Sequence, residues 1–214
     1  MNIVVFTKNW VGDVIFEMPA IRVIKENFPE SRLLAVTTPR CVEVLEANPY
    51  VDEVIEFDEK GQDRTLAAKA RFVLKLRKCR IDKAFLFHRS GTRARLACFA
   101  AVRERIGYNT KRRGSFLTCA VPEPEGPIHD VQYFLDLLRA AGLKVEGDYP
   151  YEFYFSQVDD ERATSLLKDY GLDSENLVAV HPGANWAPKR WPAEYYRELV
   201  RRLIEKYVVQ RATL

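Results

Sequence analysis

The residue with the clearest chemical potential near the start of the chain is Asp13, in the segment VVFTKNWVGDVIFEMPAIR at positions 4–22. An apolar run ends there in a polar turn, and Gly12 would let the backbone turn sharply where a helix should begin. The carboxylate of Asp13 could cap that helix by accepting hydrogen bonds from its first free N–H groups. It could equally act as a general base, because open α/β folds bind ligands at the carboxyl edge of the sheet. The segment alone leaves both roles open.

A second candidate site is the segment HPGANWAPKRWP at positions 181–192. Its first residues follow an apolar run, so a short loop there would expose backbone N–H groups. Lys189 and Arg190 add two cations just before a helix opens at Trp191 and Pro192. This combination suits a diphosphate group. The alternative is an ordinary loop between a strand and a helix, with a solvated pair of cations.

The elements that must position these residues follow an alternating pattern of apolar runs and helical periodicity, which is typical of a parallel sheet covered by helices. The predicted strands are 3–7, 33–37, 53–57, 83–87, 104–107 and 177–181. The predicted helices are 13–27, 39–47, 64–79, 92–101, 129–141, 159–170 and 192–207. The order predicts an α/β protein with a Rossmann-like doubly wound domain at 1–172 and a second domain that starts at 173–214.

Several functional classes lose support from this sequence. After the first strand the chain reads TKNWVGDV, which is neither the glycine-rich turn of dinucleotide-binding enzymes nor a nucleoside triphosphatase loop. The four cysteines and three histidines are scattered, so no metal site is predicted. The N-terminus has no leader pattern, and no stretch approaches the ~20 apolar residues of a membrane helix, which predicts a cytoplasmic, non-spanning protein.

Basic residues are concentrated in one part of the chain. Residues 60–113 contain 17 Lys or Arg and 3 Asp or Glu, a local charge of +14, whereas the whole chain carries only +3. A segment this basic repels itself unless it faces anions, which favours an anionic partner over a merely solvated cationic face. Nucleic acid is not predicted as that partner, because the segment has no interleaved aromatic residues and no reading motif.

Helical periodicity also gives this basic segment two predicted faces. Within RTLAAKARFVLKLRKCR, at positions 64–80, an apolar face and a basic face are separated by steps of three and four. The predicted apolar face consists of Leu66, Ala70 and Val73, and the basic face of Arg71, Lys75 and Lys78.

The two candidate segments together resemble the ADP-heptose:lipopolysaccharide heptosyltransferase family, glycosyltransferase family 9, which has the two-domain GT-B fold. NWVGDVIFEMPAIR is similar to the family's G-D-x-x-x-x-x-P-A-I/L-R segment, and HPGANWAPKRWP is similar to its H-P-G-A-x-x-x-x-K-R-W-P segment. The resemblance runs over nearly the whole chain. It implies the N-terminal acceptor-binding domain of a GT-B enzyme and only the first βα unit of the donor-binding domain, so we expect a C-terminally truncated form with uncertain activity of its own.

The resemblance also implies a reaction, the inverting transfer of heptose from ADP-heptose to the inner core of lipopolysaccharide, without a metal or another cofactor. Asp13 matches the family's proposed general base, and Lys189 matches the lysine that contacts the diphosphate of the donor. Gly183, Ala184 and Asn185 would line the same donor loop.

The basic segment is compatible with this acceptor, because inner-core lipopolysaccharide carries carboxylates and phosphates. By spacing alone, Arg64, Arg93, Arg95 and Arg113 are the expected acceptor contacts. The protein would then meet its acceptor at the cytoplasmic face of the inner membrane as a peripheral protein. The alternative function is a non-catalytic module that binds anionic glycolipid through its basic face.

Overall fold

Parallel pairing of six short strands organises the first part of the protein in the computed structural model, which describes residues 1–172 and 177–206. By internal contacts the chain divides into two units, Met1–Phe155 and Ser156–Leu214. The strands of the first unit are β1 Asn2–Phe6, β2 Arg32–Thr37, β3 Glu53–Glu56, β4 Lys83–Leu86, β5 Glu104–Tyr108 and β6 Cys119–Val121.

The sheet has the strand order β3-β2-β1-β4-β5-β6, and every neighbouring pair is parallel. Val4 in the middle of β1 lies beside Leu34 of β2 on one side and Ala84 of β4 on the other. From β1 the chain adds β2 and β3 toward one edge of the sheet, and it then returns to add β4, β5 and β6 on the other side of β1. Doubly wound folds form their ligand crevice at such a point, here between β1 and β4. The Rossmann-like prediction is confirmed, although β6 was not predicted.

Helices cover both faces of this sheet. The helices of the first unit are α1 Val11–Asn27, α2 Val42–Glu46, α3 Leu66–Lys78, α4 Gly91–Phe99 and α5 Asp130–Ala140. One apolar core joins Ile3 and Val5 of β1 to α1 and α5. The other joins Val4 and Phe6 to α3 and α4. Since both sides of each central strand are buried, these strands appear in the sequence as continuous apolar runs.

The buried face of α3 is not the predicted one. Ala68, Phe72 and Leu76 face the sheet, and the Phe72 ring lies 4.4 Å from that of Phe57. Leu66 is 86% exposed. The periodicity of α3 fits two apolar rows, and the row that contains the large aromatic ring is the one that packs, because it buries more apolar area.

The second unit contains α6 Gln157–Asp169 and α7 Ala193–Lys206, with a short 3₁₀ turn at Ala187–Lys189. Ser156 and Asp159 form a reciprocal capping box at the start of α6. The strand predicted at 177–181 is wrong, because no described residue of this unit offers it a paired neighbour. The predicted domain boundary at 172/173 lies inside this unit, and positions 173–176 and 207–214 are outside the described residues.

None of the helices among the described residues is both long enough and apolar enough to cross a membrane.

Candidate functional site

Asp13 lies in the first turn of α1, at the carboxyl edge of the sheet. The helix begins at Val11 with Trp10 as its N-cap, and no side chain caps it. The structure therefore excludes the capping role, which is one of the two roles that the sequence leaves open for Asp13, because Asp13 is already the third helical residue. Its side chain is half-buried, and its carboxylate forms no hydrogen bond or ion pair within residues 1–172 and 177–206. The lone pairs of this carboxylate are available to a ligand.

Gly12 does not form the sharp turn that the sequence suggested. It is the second residue of α1, and its backbone does not adopt the left-handed conformation that would require glycine. A Cβ atom at this position would meet no atom within 4 Å apart from its chain neighbours and the backbone of its own helix. The missing side chain therefore leaves open space beside Asp13 instead of permitting a turn.

Glu17 lies one helical turn beyond Asp13 and is completely buried. Its Oε1 accepts a hydrogen bond of 2.8 Å from the backbone N–H of Lys8, and its Oε2 has no hydrogen-bond partner. Burial disfavours the charged form and raises the pKa of Glu17 from 4.5 to about 8. The negative charge of Asp13 acts in the same direction, and Lys8 and Arg93 oppose it. Glu17 is thus mainly neutral at pH 7 while it holds the loop between β1 and α1.

Arg93 reaches the same loop from α4. Its guanidinium donates to the carbonyl oxygen of Thr7 and, at 2.6 Å, to Oδ1 of Asn9, while Glu59 lies 3.9 Å away. Desolvation lowers the pKa of Arg93 to about 10, so it remains protonated at neutral pH. Glu17 and Arg93 therefore hold residues 7–9 from two different helices.

Arg113 is equally buried and holds a neighbouring part of the edge. It donates to the backbone oxygens of Tyr108 at 2.8 Å and Leu86 at 3.3 Å, and also to that of His88. The pKa of His88 falls to about 3 because the ring is desolvated and has cations around it, and Nδ1 accepts a hydrogen bond from the Ser90 N–H. The His88 imidazole is therefore neutral at physiological pH.

Of the four arginines expected to contact an acceptor, Arg93 and Arg113 are buried, and for these two the expectation fails. Arg113 donates to backbone carbonyls only, and Arg93 donates to one backbone carbonyl and to the Asn9 side chain. Both guanidinium groups are buried and have no surface to offer a ligand. Arg64 and Arg95 are exposed. A sequence signal existed for Arg93, since Ala97 and Ala100 follow it on the same helical face, and small residues there leave room for a long side chain against the sheet.

A cavity of about 340 Å³ opens beyond the carboxyl ends of β1, β2 and β3. Its walls are formed by Asn9, Trp10, Thr38, Pro39, Arg40, Asp58, Glu59 and Lys60. The guanidinium of Arg40 lies 4.4 Å above the half-exposed ring of Trp10, and Thr38 donates to the backbone oxygen of Asn9. An aromatic wall with polar groups of both charges suits a polar ligand of about sugar size.

Exposed cations surround this edge of the sheet. They are Arg40, Lys60, Arg64, Arg89, Lys111 and Arg112. Arg89 pairs with Glu123. Lys111 and Arg112 have φ angles of 51° and 58°, which non-glycine residues adopt at some energetic cost, and Arg113 beside them fixes this loop.

The second candidate segment lies in the second unit. Arg190 donates from Nε to the backbone oxygen of Ala184 at 2.7 Å, which closes the loop that contains Gly183 and Asn185. Lys189 ends the 3₁₀ turn and is exposed, and its ammonium forms no ion pair with any described residue. Of the two neighbouring cations, Arg190 is thus occupied in the loop and Lys189 can bind an anion.

Within the described ranges, no three His, Cys, Asp or Glu side chains are grouped so that they could hold a metal ion.

Comparison with known proteins finds similarity to heptosyltransferases both in a family model and in a curated relative. The family model for glycosyltransferase family 9 (heptosyltransferase) matches residues 69–210. Lipopolysaccharide heptosyltransferase 2 of Salmonella typhimurium is 26% identical over 212 residues, which cover 96% of this chain and 61% of the relative.

Two solved structures share the fold of this chain. The glycosyl transferase family 9 structure from Veillonella parvula superposes with a TM-score of 0.86 at 20% identity, covering 96% of this chain and 60% of that one. The Escherichia coli ADP-heptose lipopolysaccharide heptosyltransferase II superposes with a TM-score of 0.74 at 26% identity, covering 96% and 62%. The chain therefore spans about 60% of the length of these relatives.

Proposed function

We propose, because this chain belongs to glycosyltransferase family 9, the heptosyltransferases, that it takes part in the transfer of heptose from ADP-heptose to the inner core of lipopolysaccharide. The observation that carries the proposal is the position of Asp13. Its half-buried carboxylate has no partner among the described residues, lies at the carboxyl edge of the sheet, and adjoins the open space at Gly12.

In this proposal Asp13 is the general base. It takes the proton from an acceptor hydroxyl while that oxygen attacks the anomeric carbon of the heptose. The new C–O bond forms on the face opposite the diphosphate, the bond to the diphosphate oxygen breaks, and the configuration at the anomeric carbon inverts. A carboxylate that already served as a helix cap would lose hydrogen bonds when it took up the proton. Asp13 has no such bonds to lose.

The donor belongs to the second candidate segment. As ADP leaves, negative charge grows on its diphosphate, and the exposed ammonium of Lys189 would stabilise that charge without a metal. The loop of Gly183, Ala184 and Asn185, closed by Arg190, would supply the surrounding backbone. In this division of labour residues 1–172 bind the acceptor, and residues 173–214 belong to the donor-binding part.

The acceptor would occupy the cavity beside Trp10, surrounded by the exposed cations of the same sheet edge. Carboxylates and phosphates of the lipopolysaccharide core would pair with Arg40, Lys60 and Arg64. Arg95, which is exposed on α4, extends this basic surface.

The test compares Asp13→Asn with Asp130→Asn, because Asp130 is an exposed aspartate in the first turn of α5. ADP release is measured with ADP-heptose and lipopolysaccharide that lacks the accepted heptose, and acceptor binding is measured separately by calorimetry. We expect Asp13→Asn to lose about 10²- to 10⁴-fold in turnover and to retain acceptor binding, while Asp130→Asn is unchanged. Equal turnover for wild type and Asp13→Asn would exclude Asp13 as the base. Acceptor binding by the wild type without any ADP release would favour the non-catalytic glycolipid-binding module.

A further inference from the structure

The outer surface of α3 exposes apolar residues that no packing interaction explains. Leu66, Ala70 and Leu74 follow one another at steps of four, so they form a row along the solvent side of the helix. Leu66 is 86% exposed and Leu74 is 55% exposed. The opposite row of α3 fills the core, so this second apolar row is left over.

Cations lie alongside this row. Arg71, Lys75 and Lys78 are exposed on the same side of α3, and the helix contains no aspartate or glutamate. None of these three side chains forms an ion pair in the described part of the chain. We refer to Leu66, Ala70, Arg71, Leu74, Lys75 and Lys78 as the α3 surface.

A neighbouring helix extends the apolar part of this surface. Arg77 of α3 donates to the backbone oxygen of Phe99, at 3.0 Å from Nε and 2.8 Å from Nη2, which fixes the end of α4 beside α3. Phe99 itself is 56% exposed. Three large apolar side chains are therefore exposed on these two packed helices.

The charge pattern of the α3 surface is unfavourable for the helix alone. Arg71 and Lys75 are four residues apart, and Lys75 and Lys78 are three apart, so like charges repel at both spacings. An anionic surface would turn this repulsion into attraction, and apolar side chains among the cations would gain by entering an interface between water and hydrocarbon. An anionic membrane surface would therefore relieve both the repulsion between the cations and the exposure of the apolar side chains.

We propose that the α3 surface docks the protein on a bilayer containing anionic phospholipid. Lys75, Lys78 and Arg71 contact the headgroups, and Leu66, Leu74 and Phe99 enter the boundary between headgroups and acyl chains. Nucleic acid fits less well, because the only exposed aromatic ring here is that of Phe99, and bases stack on aromatic platforms. None of the residues of the α3 surface is assigned a role in the proposed heptose transfer, so docking can be tested independently of that reaction.

The experiment measures cosedimentation with vesicles of phosphatidylcholine alone and of phosphatidylcholine with roughly one-third phosphatidylglycerol. The vesicles contain no sugar acceptor, so the outcome is independent of the proposed transferase function. Lys75→Glu is compared with Lys144→Glu, which makes the same charge change at an exposed position that follows α5, on the other side of the sheet. Leu74→Asp tests the apolar contribution.

We expect the wild type to bind the anionic vesicles and not the neutral ones. Lys75→Glu should weaken binding about fivefold or more, Leu74→Asp about tenfold or more, and Lys144→Glu should leave it unchanged. Equal losses for Lys75→Glu and Lys144→Glu would show attraction by net charge alone and overturn the proposal. Loss with Lys75→Glu but not with Leu74→Asp, together with tight binding to RNA, would show a polyanion site and would overturn it as well. Circular dichroism of each variant shows whether it is folded, and Leu74→Ser replaces Leu74→Asp if the latter unfolds.

Discussion

The buried carboxyl of Glu17 predicts an unusual dependence of stability on pH. Its pKa is about 8 in the folded protein and 4.5 when the chain is unfolded. Between these values the folded state holds more protons than the unfolded state, so the free energy of unfolding falls as the pH rises. The contribution of Glu17 is therefore most favourable below pH 4.5, and its loss is complete above about pH 8. For most paired carboxylates the pKa is lowered on folding, so the free energy of unfolding rises with pH instead.

The substitution Glu17→Gln removes this dependence and keeps the local contact. A glutamine oxygen can still accept the hydrogen bond from the Lys8 N–H, while the side chain no longer titrates. At about 1.4 kcal/mol per pKa unit, the variant should match the wild type near pH 4.5 and exceed it by about 3 kcal/mol at pH 7 and by at most about 5 kcal/mol above pH 8.

The assay is urea unfolding followed by circular dichroism from pH 5 to pH 9, with hydrogen exchange of α1 to isolate the first unit. Glu43→Gln on α2 is the matched control, because Glu43 is exposed. Wild type and Glu43→Gln should keep parallel profiles, and Glu17→Gln should become more stable than both as the pH rises. Below about pH 6.5 the low pKa of His88 adds a slope of the opposite sign, which all three proteins share. Parallel profiles for all three proteins would mean that Glu17 is charged in the folded state, which would refute the desolvation argument.

Two further predictions concern the carboxyl edge of the sheet. Arg113→Met leaves three backbone oxygens without their donor and should lower the free energy of unfolding by about 3 kcal/mol in urea titrations, whereas Arg112→Met at the exposed neighbour should change it by less than about 0.5 kcal/mol. A similar loss for both would show that the buried contacts of Arg113 are not what stabilises this loop. Gly12→Ala should stabilise α1 by about 0.5–1 kcal/mol because its Cβ has open space, yet it should reduce the proposed heptose transfer by narrowing the space beside Asp13. Full turnover with raised stability would mean that this space is not used by the substrate.

The fold could be predicted to the extent that single elements carry their own signal. The central strands are buried on both faces, so they appear as apolar runs, and the intervening helices begin and end within a few residues of their predicted bounds. Pairing is not a local property, however. Cys119–Val121 forms β6 because β5 lies beside it, whereas the more apolar residues 177–181 form no strand because the described part of their unit offers no neighbour.

The candidate site was harder to predict, because residue type does not determine burial. Asp13 and Lys189 have side chains that a ligand could reach. Arg93 and Arg113 belong to a strongly basic segment of the sequence, but they are buried and support the sheet edge from inside. Glu17 gave no signal at all, since a single acidic residue in an apolar helix also fits a solvent-facing position. Only the helical phase relative to the sheet distinguishes the two cases, and that phase depends on packing.

The buried groups beneath this edge also bear on its electrostatics. Glu17 is mainly neutral at pH 7 and His88 is neutral, whereas Arg93 stays protonated, so the buried carboxyl group of Glu17 does not cancel the charge of Arg93. Glu59, at 3.9 Å from Arg93 and partly exposed, offsets this charge only in part. The loop that leads to Asp13 is therefore held over a fixed positive charge in a medium of low polarity, where charges act more strongly than in water. That arrangement favours negative charge at the carboxyl edge of the sheet, which is where the proposed reaction would bring an anionic acceptor.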